Sequence, residues 1–220
     1  MQAIIDLFFP RRCLHCTRII PDLELPLCMR CYVQMPFTHW EMNRENLLWE
    51  SLSREAEVEA ASALLFYYQQ NASKRLIMAN KYYNMPFIGK ALANLALPTI
   101  AVHAYDVITC VPSHHRTMRV RGYNQVSLFA KTLSENLQIP FAPDLLKRIK
   151  RKDSQTHKNR FERLNSLRNA FEVSDDLHQY NSILLVDDVH TTGATLVNCC
   201  KILHEKKNVK IYVYTMAKVL

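Results

Sequence analysis

The chain has 220 residues, a length that suits one domain with a small appendage. Hydrophobic residues make up 49% of it and charged residues 22%, so the chain can bury a core and is not a disordered polypeptide. The formal net charge of +8 favours a polyanionic partner. No run of about 18 apolar residues occurs, which excludes a membrane-spanning helix.

The first ten residues predict a short amphipathic helix over positions 2–9, which ends at Pro10 and packs on the rest of the protein. They lack a basic leader and a small-residue cleavage site, so we do not expect a signal peptide. The chain also has seven cysteines. Without a secretory signal, these indicate a reducing compartment and free or metal-bound thiols rather than disulfides.

Four of the cysteines form two CxxC pairs that are separated by eleven residues. The ligand candidates are Cys13, Cys16, Cys28 and Cys31. This spacing predicts two knuckles that converge on one tetrahedral Zn²⁺, and four thiolates leave no open position, so we interpret the site as structural. A redox dithiol or free cysteines are the alternatives. The neighbouring His15 and His39 are expected to be surface or packing residues.

The chain after the cysteines alternates apolar runs with helical patterns. We therefore divide it into an N-terminal helix and zinc ribbon (1–40), a connector with a short helix near 44–53 (41–57), and a main domain (58–220). Strands are predicted at 60–68, 106–111, 145–149, 170–173, 183–186 and 210–215. Helices are predicted over 71–82, over 86–102 with a break near Pro98, from 125 onward, and after Gly193. The alternation predicts an α/β fold with a mainly parallel, doubly wound sheet.

Three arginines lie between the strand at 106–111 and the helix that follows Gly122. They are Arg116, Arg119 and Arg121. Guanidinium groups bind phosphate oxygens in pairs, so this loop is a candidate pyrophosphate site. A solvated basic loop is the alternative.

The segment 147–168 is the most basic part of the chain, with nine Lys or Arg residues against two acids, a local charge of +7. It lies between two predicted strands, which suggests a mobile lid over 151–165. The charge favours pyrophosphate, nucleic acid or both as partner. A solvated basic face is the alternative.

The stretch ILLVDDVHTTGATL, at 183–196, combines a buried strand, two acids and a tight hydroxyl-rich turn into a helix. Asp187 and Asp188 follow the apolar run, at the end of the strand where parallel sheets hold their ligands. The turn at 191–195 offers backbone N–H groups and a helix N-terminus to a phosphate. The pattern predicts a site for a ribose 5-phosphate. An ordinary strand, turn and helix with two solvated acids is the alternative.

The DD and TTGAT residues resemble the 5-phosphoribosyl-1-pyrophosphate (PRPP) motif of type I phosphoribosyltransferases. The wider order CxxC…CxxC, KY, VP…R…RGYNQ, SQT…R…N…AF and VDDVHTTGATL is similar to the ComF/GntX family. Members of that family join a zinc ribbon to a phosphoribosyltransferase-like domain, and the resemblance covers nearly the whole chain.

The resemblance implies ligands for each part of PRPP. Asp187 and Asp188 would hold the ribose 2′- and 3′-hydroxyls, and Mg²⁺ would bridge the pyrophosphate and ribose oxygens. The 5′-phosphate would lie on Thr191, Thr192, Gly193, Ala194 and Thr195. The pyrophosphate-side loop would include Arg116, Arg121 and Gln125, and the flexible loop Gln155, Thr156 and Arg160. The resemblance also implies a cytoplasmic protein of natural competence, which passes internalised single-stranded DNA to recombination and so meets other competence or recombination proteins.

The sequence leaves three functions open. In an enzyme, pyrophosphate would leave C1 of PRPP while the three arginines neutralise its charge, and an unidentified base or amine would attack. In a binding module, the phosphate site, the basic segment and the zinc ribbon would together hold single-stranded nucleic acid. A PRPP sensor without turnover is the third. No residue stands out as the acid or base of a transfer reaction.

Overall fold

The structure, a computed structural model, describes residues 10–21, 24–82, 85–113, 124–149 and 170–220. The helices are α1 (Met29–Val33), α2 (Leu47–Ser53), α3 (Ala72–Tyr82), α4 (Pro86–Ile100), α5 (Gln125–Leu137) and α6 (Ala194–Lys206). The strands are β1 (Ala60–Tyr67), β2 (Val107–Cys110), β3 (Leu146–Arg148), β4 (Phe171–Val173), β5 (Ser182–His190) and β6 (Lys210–Val219). A 3₁₀ turn, Asp175–Gln179, precedes β5. The predicted helix at 2–9 lies outside the described residues.

Four strands form one sheet in the order β1-β6-β5-β2, and every neighbouring pair is parallel. The short strands β3 and β4 form a separate antiparallel pair. The α/β class with a parallel sheet is therefore confirmed. No helix among the described residues is both long and apolar enough to cross a bilayer.

Helices cover both faces of the sheet, because each central strand is apolar on both sides. On one face, Leu184 and Val186 of β5 pack in a hydrophobic cluster with residues of α3, α4 and α5. On the other face, Ile183 and Leu185 pack with residues of α2 and α6. The continuous apolar run that predicted β5 thus contributes side chains to the hydrophobic cores on both faces of the sheet.

Local chemistry sets where the helices begin. The side chain of Asn46 accepts hydrogen bonds from the N–H groups of Leu48 and Trp49 and caps α2. Pro86 occupies the first turn of α4, where its missing N–H is not needed. The predicted break near Pro98 is wrong. Since α4 ends two residues later, at Ile100, the proline lies in the last turn and the helix runs through it.

The segment before β1 lies along the outer edge of the sheet. Phe37 and Asn43 form antiparallel bridges with Leu65 and Ala61 of β1, which covers an edge that would otherwise be open. The short helix expected near 44–53 is present as α2, with Leu48 and Leu52 fully buried. The division of the chain at residues 40 and 57 stays a prediction.

The strand β5 extends beyond its neighbour β2, and this positions the acid pair. Cys110, the last residue of β2, pairs with Val186. The sequence placed the end of β5 at Val186, but the strand continues to His190 because β6 still pairs with it through Lys218. Asp187 and Asp188 therefore lie where β5 has lost its partner on one side, and this opens the carboxyl end of the sheet to a ligand.

Candidate functional site

The cysteines of the two CxxC pairs come together in space. The four Sγ atoms all lie within 4.8 Å of one another. Sulfur atoms around tetrahedral zinc are about 3.8 Å apart, because each Zn–S bond is about 2.3 Å long. The Sγ atoms of Cys16 and Cys28, 3.5 Å apart, are near that spacing already. The cluster can therefore hold a metal ion such as Zn²⁺.

The backbone of the first knuckle turns tightly around Cys13. Its N–H donates to the carbonyl of Arg18 at 2.8 Å, and its carbonyl accepts from the N–H of Thr17 at 2.9 Å. Thr17 takes up a left-handed conformation, with φ of 61°, to close the turn. Burial acts to raise the pKa of Cys13, but the N–H groups of Cys16, Cys28 and His15 bond its sulfur and lower that pKa to about 6. A thiolate is the form that binds metal.

The two acids of β5 make different contacts. The carboxylate of Asp188 forms an ion pair with the ammonium of Lys81, at the end of α3, with 2.6 Å between Oδ2 and Nζ. Both side chains are largely buried, at 26% and 20% exposure, so the pair is shielded from water. Asp187 instead lines a small cavity with the residues of the following turn.

The pKa of Asp187 is raised to about 8. Burial is the main cause, and the negative charge of Asp188 adds to it. The N–H of Asp188, which donates to Oδ1 of Asp187 at 2.8 Å, and the charge of Lys81 offset only part of this. Asp187 therefore carries a proton near neutral pH and becomes a carboxylate when a cation or hydrogen-bond donors reach it.

The turn between β5 and α6 encloses a cavity of about 50 Å³. Its lining includes Asp187, Val189, His190, Thr191, Thr192, Gly193, Ala194, Thr195 and Leu196. Gly193 is left-handed, with φ of 78°, and directly precedes the first residue of α6. The predicted phosphate turn is thus joined to Asp187 at the N-terminus of a 13-residue helix, where backbone N–H groups attract anions.

His190 is packed against the same turn. It is 1% exposed, and a Cβ placed on Gly193 would lie 2.6 Å from its Nε2 atom. Burial, and then the nearby charge of Lys218, lower its pKa to about 4, so the imidazole is neutral. Its Nε2 atom is 3.5 Å from the hydroxyl of Ser51 in α2. The imidazole therefore fills the space beneath Gly193 and leaves no room for a side chain there.

The ends of the arginine-rich loop are fixed to the body of the protein. The hydroxyl of Ser113, after β2, donates to Oδ1 of Asn124 at 2.8 Å. The same oxygen accepts from the N–H of Val126 and caps α5. These contacts join the two ends of the loop, which follows β2 at the carboxyl end of the sheet. Arg116, Arg119 and Arg121 lie outside the described residues, as do Gln155, Thr156, Arg160 and the rest of the predicted lid.

Gln125 is the first residue of α5 and its side chain is buried. It is 2% exposed, and its Nε2 donates to the carbonyl of Lys81 at 3.4 Å. The contact joins the start of α5 to the end of α3, next to the ion pair of Lys81 with Asp188. The assignment of Gln125 as a ligand of the pyrophosphate stays a prediction.

Two residues of this region were not predicted to belong to the site. Lys81 carries the buried charge that pairs with Asp188. The KY dipeptide of the family motif order was the signal that could have identified it. His190 stands inside the motif VDDVHTTGAT, but a lone histidine after a strand gives no indication that it packs under a glycine.

Comparisons with known proteins show what the chain is similar to. A scan against protein-family models gives no match. The chain is 30% identical to competence protein F of Haemophilus influenzae over 96% of this chain and 98% of that protein. It is 25% identical to the DNA utilization protein YhgH of Escherichia coli O157:H7 over 94% and 90% of the two chains. Among solved structures, the allosteric regulatory enzyme of purine biosynthesis is similar with a TM-score of 0.45 and 18% identity, over 64% of this chain and 30% of that one.

The fold and the cysteine cluster define an α/β protein with a parallel sheet and an N-terminal four-cysteine cluster that can hold a metal ion. The chain belongs to the competence protein F (ComF) family, as its 30% identity over nearly the full length of both chains shows. The resemblance drawn from the motif order is confirmed.

Proposed function

We propose that this protein binds PRPP with Mg²⁺ at the carboxyl end of its sheet and acts in the uptake and use of DNA. The observation that carries the proposal is the cavity that Asp187 shares with the turn 191–195 at the start of α6. Backbone N–H groups and the helix N-terminus there suit the 5′-phosphate. Asp187 and Asp188, in the strand that leads into this turn, would accept hydrogen bonds from the ribose hydroxyls.

The donor set fits Mg²⁺, which prefers carboxylate oxygens together with phosphate oxygens. The ion would neutralise the pyrophosphate of the ligand. Asp187 would release its proton as the ion and sugar approach, because its raised pKa reflects burial and a negative neighbour. The loop that carries Arg116, Arg119 and Arg121 would supply the remaining positive charge, since it follows β2, whose last residue pairs with Val186 directly before the acids.

Titration of PRPP into the protein in the presence of excess Mg²⁺ tests this by calorimetry. We expect saturable binding to the wild type and binding at least about tenfold weaker to Asp187→Asn/Asp188→Asn, since two ligands are weakened at once. The matched control is Asp175→Asn/Asp176→Asn, which changes two adjacent acids in the 3₁₀ turn. Equal affinity of all three proteins would contradict the proposal.

Whether the protein consumes PRPP needs its own experiment, because no residue has been assigned as the acid or base of a transfer reaction. Incubation of labelled PRPP and Mg²⁺ with a panel of bases and amines distinguishes the possibilities. Release of pyrophosphate that depends on Asp187 and Asp188 identifies a phosphoribosyltransferase. Binding without release with any acceptor identifies a PRPP sensor, in which the site reports the ligand without consuming it.

We infer a second function, contact with single-stranded DNA in the cytoplasm alongside other competence or recombination proteins. Two observations favour it: relatives are named for competence and DNA utilization, and the chain is strongly basic. Binding of a single-stranded oligonucleotide would weaken steeply with salt, because bound counterions are released. Charge removal at 150–152 should reduce that salt slope, and an unchanged slope would exclude this segment as the contact.

A further inference from the structure

A second pocket lies between the first cysteine knuckle and α3, apart from the acid pair. Its volume is about 560 Å³, which is within the range of small-molecule sites. The described residues that line it are His15, Gln69, Gln70, Lys74, Arg75 and Met78. All of these except Met78 can donate hydrogen bonds, and none is acidic.

The two cations of this pocket have no carboxylate partner in the described part of the chain. Neither Lys74 nor Arg75 takes part in the ion pairs found there, and the ammonium of Lys74 donates to the amide oxygen of Gln69 at 2.5 Å. Both cations also lie in the first turn of α3, where the helix dipole disfavours positive charge. An anion in the pocket would relieve both effects.

A larger groove lies at the amino end of the sheet, and the charges of its lining differ from those of the pocket beside α3. Its volume is about 980 Å³, and its lining mixes acids and bases. There, Arg44 bonds Glu59, and Nε2 of His204 lies 2.8 Å from a carboxylate oxygen of Glu57. Acids and bases therefore pair with one another in that groove, whereas no described acid pairs with Lys74 or Arg75 in the pocket beside α3.

The rest of the pocket suits a nucleotide better than a bare anion. The amides of Gln69 and Gln70 can donate to and accept from base edges, and Met78 offers an apolar contact. One turn further along the same side of α3 is Tyr82, which is 58% exposed and can stack on a base. Lys74 and Lys81 are about 10 Å apart along the helix axis, so this pocket and the acid pair are distinct sites.

We propose that the pocket between the first cysteine knuckle and α3 is a second phosphate site, which binds a nucleotide phosphate through Lys74 and Arg75. This proposal rests on the inferred contact with nucleic acid and not on PRPP binding. The nucleotide is part of a single strand or free, and both sources share the same phosphate chemistry. The cysteine knuckle contributes His15 and one wall of the pocket.

The test compares Lys74→Gln/Arg75→Gln with a control, Arg54→Gln/Lys131→Gln, which removes the same charges from exposed positions elsewhere. Circular dichroism confirms folding of each protein. The probes are labelled oligothymidylate of twelve residues, thymidine 5′-monophosphate and inorganic phosphate. For the oligonucleotide we expect about tenfold weaker binding by the pocket variant and a salt slope smaller by about one per cation removed, with the control close to wild type.

The arms identify the source of the phosphate. Weaker binding of the oligonucleotide by the pocket variant supports a strand as ligand, and weaker binding of the monophosphate alone supports a free nucleotide. Equal binding of every probe by the two variants would overturn the proposal, as would the absence of any binding to the wild type. Titration of PRPP into the pocket variant should give wild-type affinity, so failure here is separate from failure of the PRPP site.

Discussion

Single residues decide the shape of the candidate phosphate turn. Gly193 is left-handed and its Cα faces the buried ring of His190. Any side chain at this position meets an unfavourable φ and a steric contact at once. The scarcity of glycine in the sequence, with three among 220 residues, drew attention to Gly193 but gave no information on the histidine below it.

Gly193→Ala should destabilise the protein by about 1–3 kcal/mol, because the methyl group would lie 2.6 Å from Nε2 of His190 and φ is positive. Urea unfolding followed by circular dichroism measures the change. The control is Gly89→Ala in α4, where the nearest side-chain atom would be 3.4 Å away. That variant should be neutral or up to about 1 kcal/mol more stable. A Gly193→Ala protein that is more stable than Gly89→Ala would contradict this geometry.

Asp187 should make the free energy of unfolding depend on pH. Its pKa in the folded protein, about 8, is above the ordinary value of 3.8, so the folded state holds the proton more tightly than the unfolded state does. The contribution of Asp187 to stability is therefore largest below its ordinary pKa of 3.8 and falls as the pH rises toward 8. Asp187→Asn should remove this loss and be about 2 kcal/mol more stable than wild type at pH 8, with a smaller difference at pH 5. A difference that is independent of pH would contradict the assignment.

At the scale of elements, α3 connects the parts of the molecule. Lys81 at its C-terminal end pairs with Asp188 of β5, and its carbonyl accepts from Gln125 of α5. The first turn of the same helix faces the cysteine knuckle through Lys74 and Arg75. The start of α3 could be predicted from Asn71, whose side chain accepts from the N–H of Ser73. The ion pair could not, because it joins residues more than a hundred positions apart.

Lys81→Met should destabilise the protein by about 1 kcal/mol, since it leaves the carboxylate of Asp188 partly buried without its partner. Some of the lost charge interaction is replaced by water, because a quarter of the Asp188 side chain is exposed. Lys90→Met, at an exposed position of α4, is the control and should change stability by less than about 0.5 kcal/mol. Equal unfolding midpoints for the two variants would show that the ion pair does not stabilise the fold.

The cysteine ribbon is packed into the main core. Cys13, Leu27 and Cys31 belong to the same hydrophobic cluster as Leu76 of α3 and Leu92 of α4. Loss of the metal should therefore be felt beyond the ribbon, since the ion that would hold the four sulfur atoms together is then gone.

Metal analysis should return about one Zn²⁺ per chain for the wild type. Cys13→Ser should lose that ion and unfold at lower temperature. Cys199→Ala, in the other core beside α6, should keep the ion, so it separates loss of metal from loss of a buried thiol. Full zinc content in Cys13→Ser, or a wild type that is stable and free of metal, would contradict the zinc assignment.

At the scale of the whole molecule, the class of fold could be read from local patterns, because buried parallel strands are continuous apolar runs. The run at 183–186 marks the centre of the sheet for this reason. The extent of β5 could not be read in the same way, because Asp187 to His190 are held in the strand by pairing with β6, a long-range contact. Similarly, the sequence identified both acids but not their different partners, the cavity for Asp187 and Lys81 for Asp188.

The two proposed sites lie near opposite ends of α3, and both suit phosphate groups. A candidate phosphate turn and the acid pair lie at the carboxyl end of the sheet, and a pocket lined by two cations and no described acid lies beside the cysteine knuckle. A ComF protein with both proposed sites would hold a phosphorylated sugar and a nucleotide strand on one domain.

A crystal structure with PRPP and Mg²⁺ tests the central claim most directly. We expect the 5′-phosphate on the backbone N–H groups of 191–195 and the ribose hydroxyls within hydrogen-bond distance, about 3 Å, of Asp187 and Asp188. Electron density for the ligand at another surface, with both acids making the same contacts as in the free protein, would contradict the account.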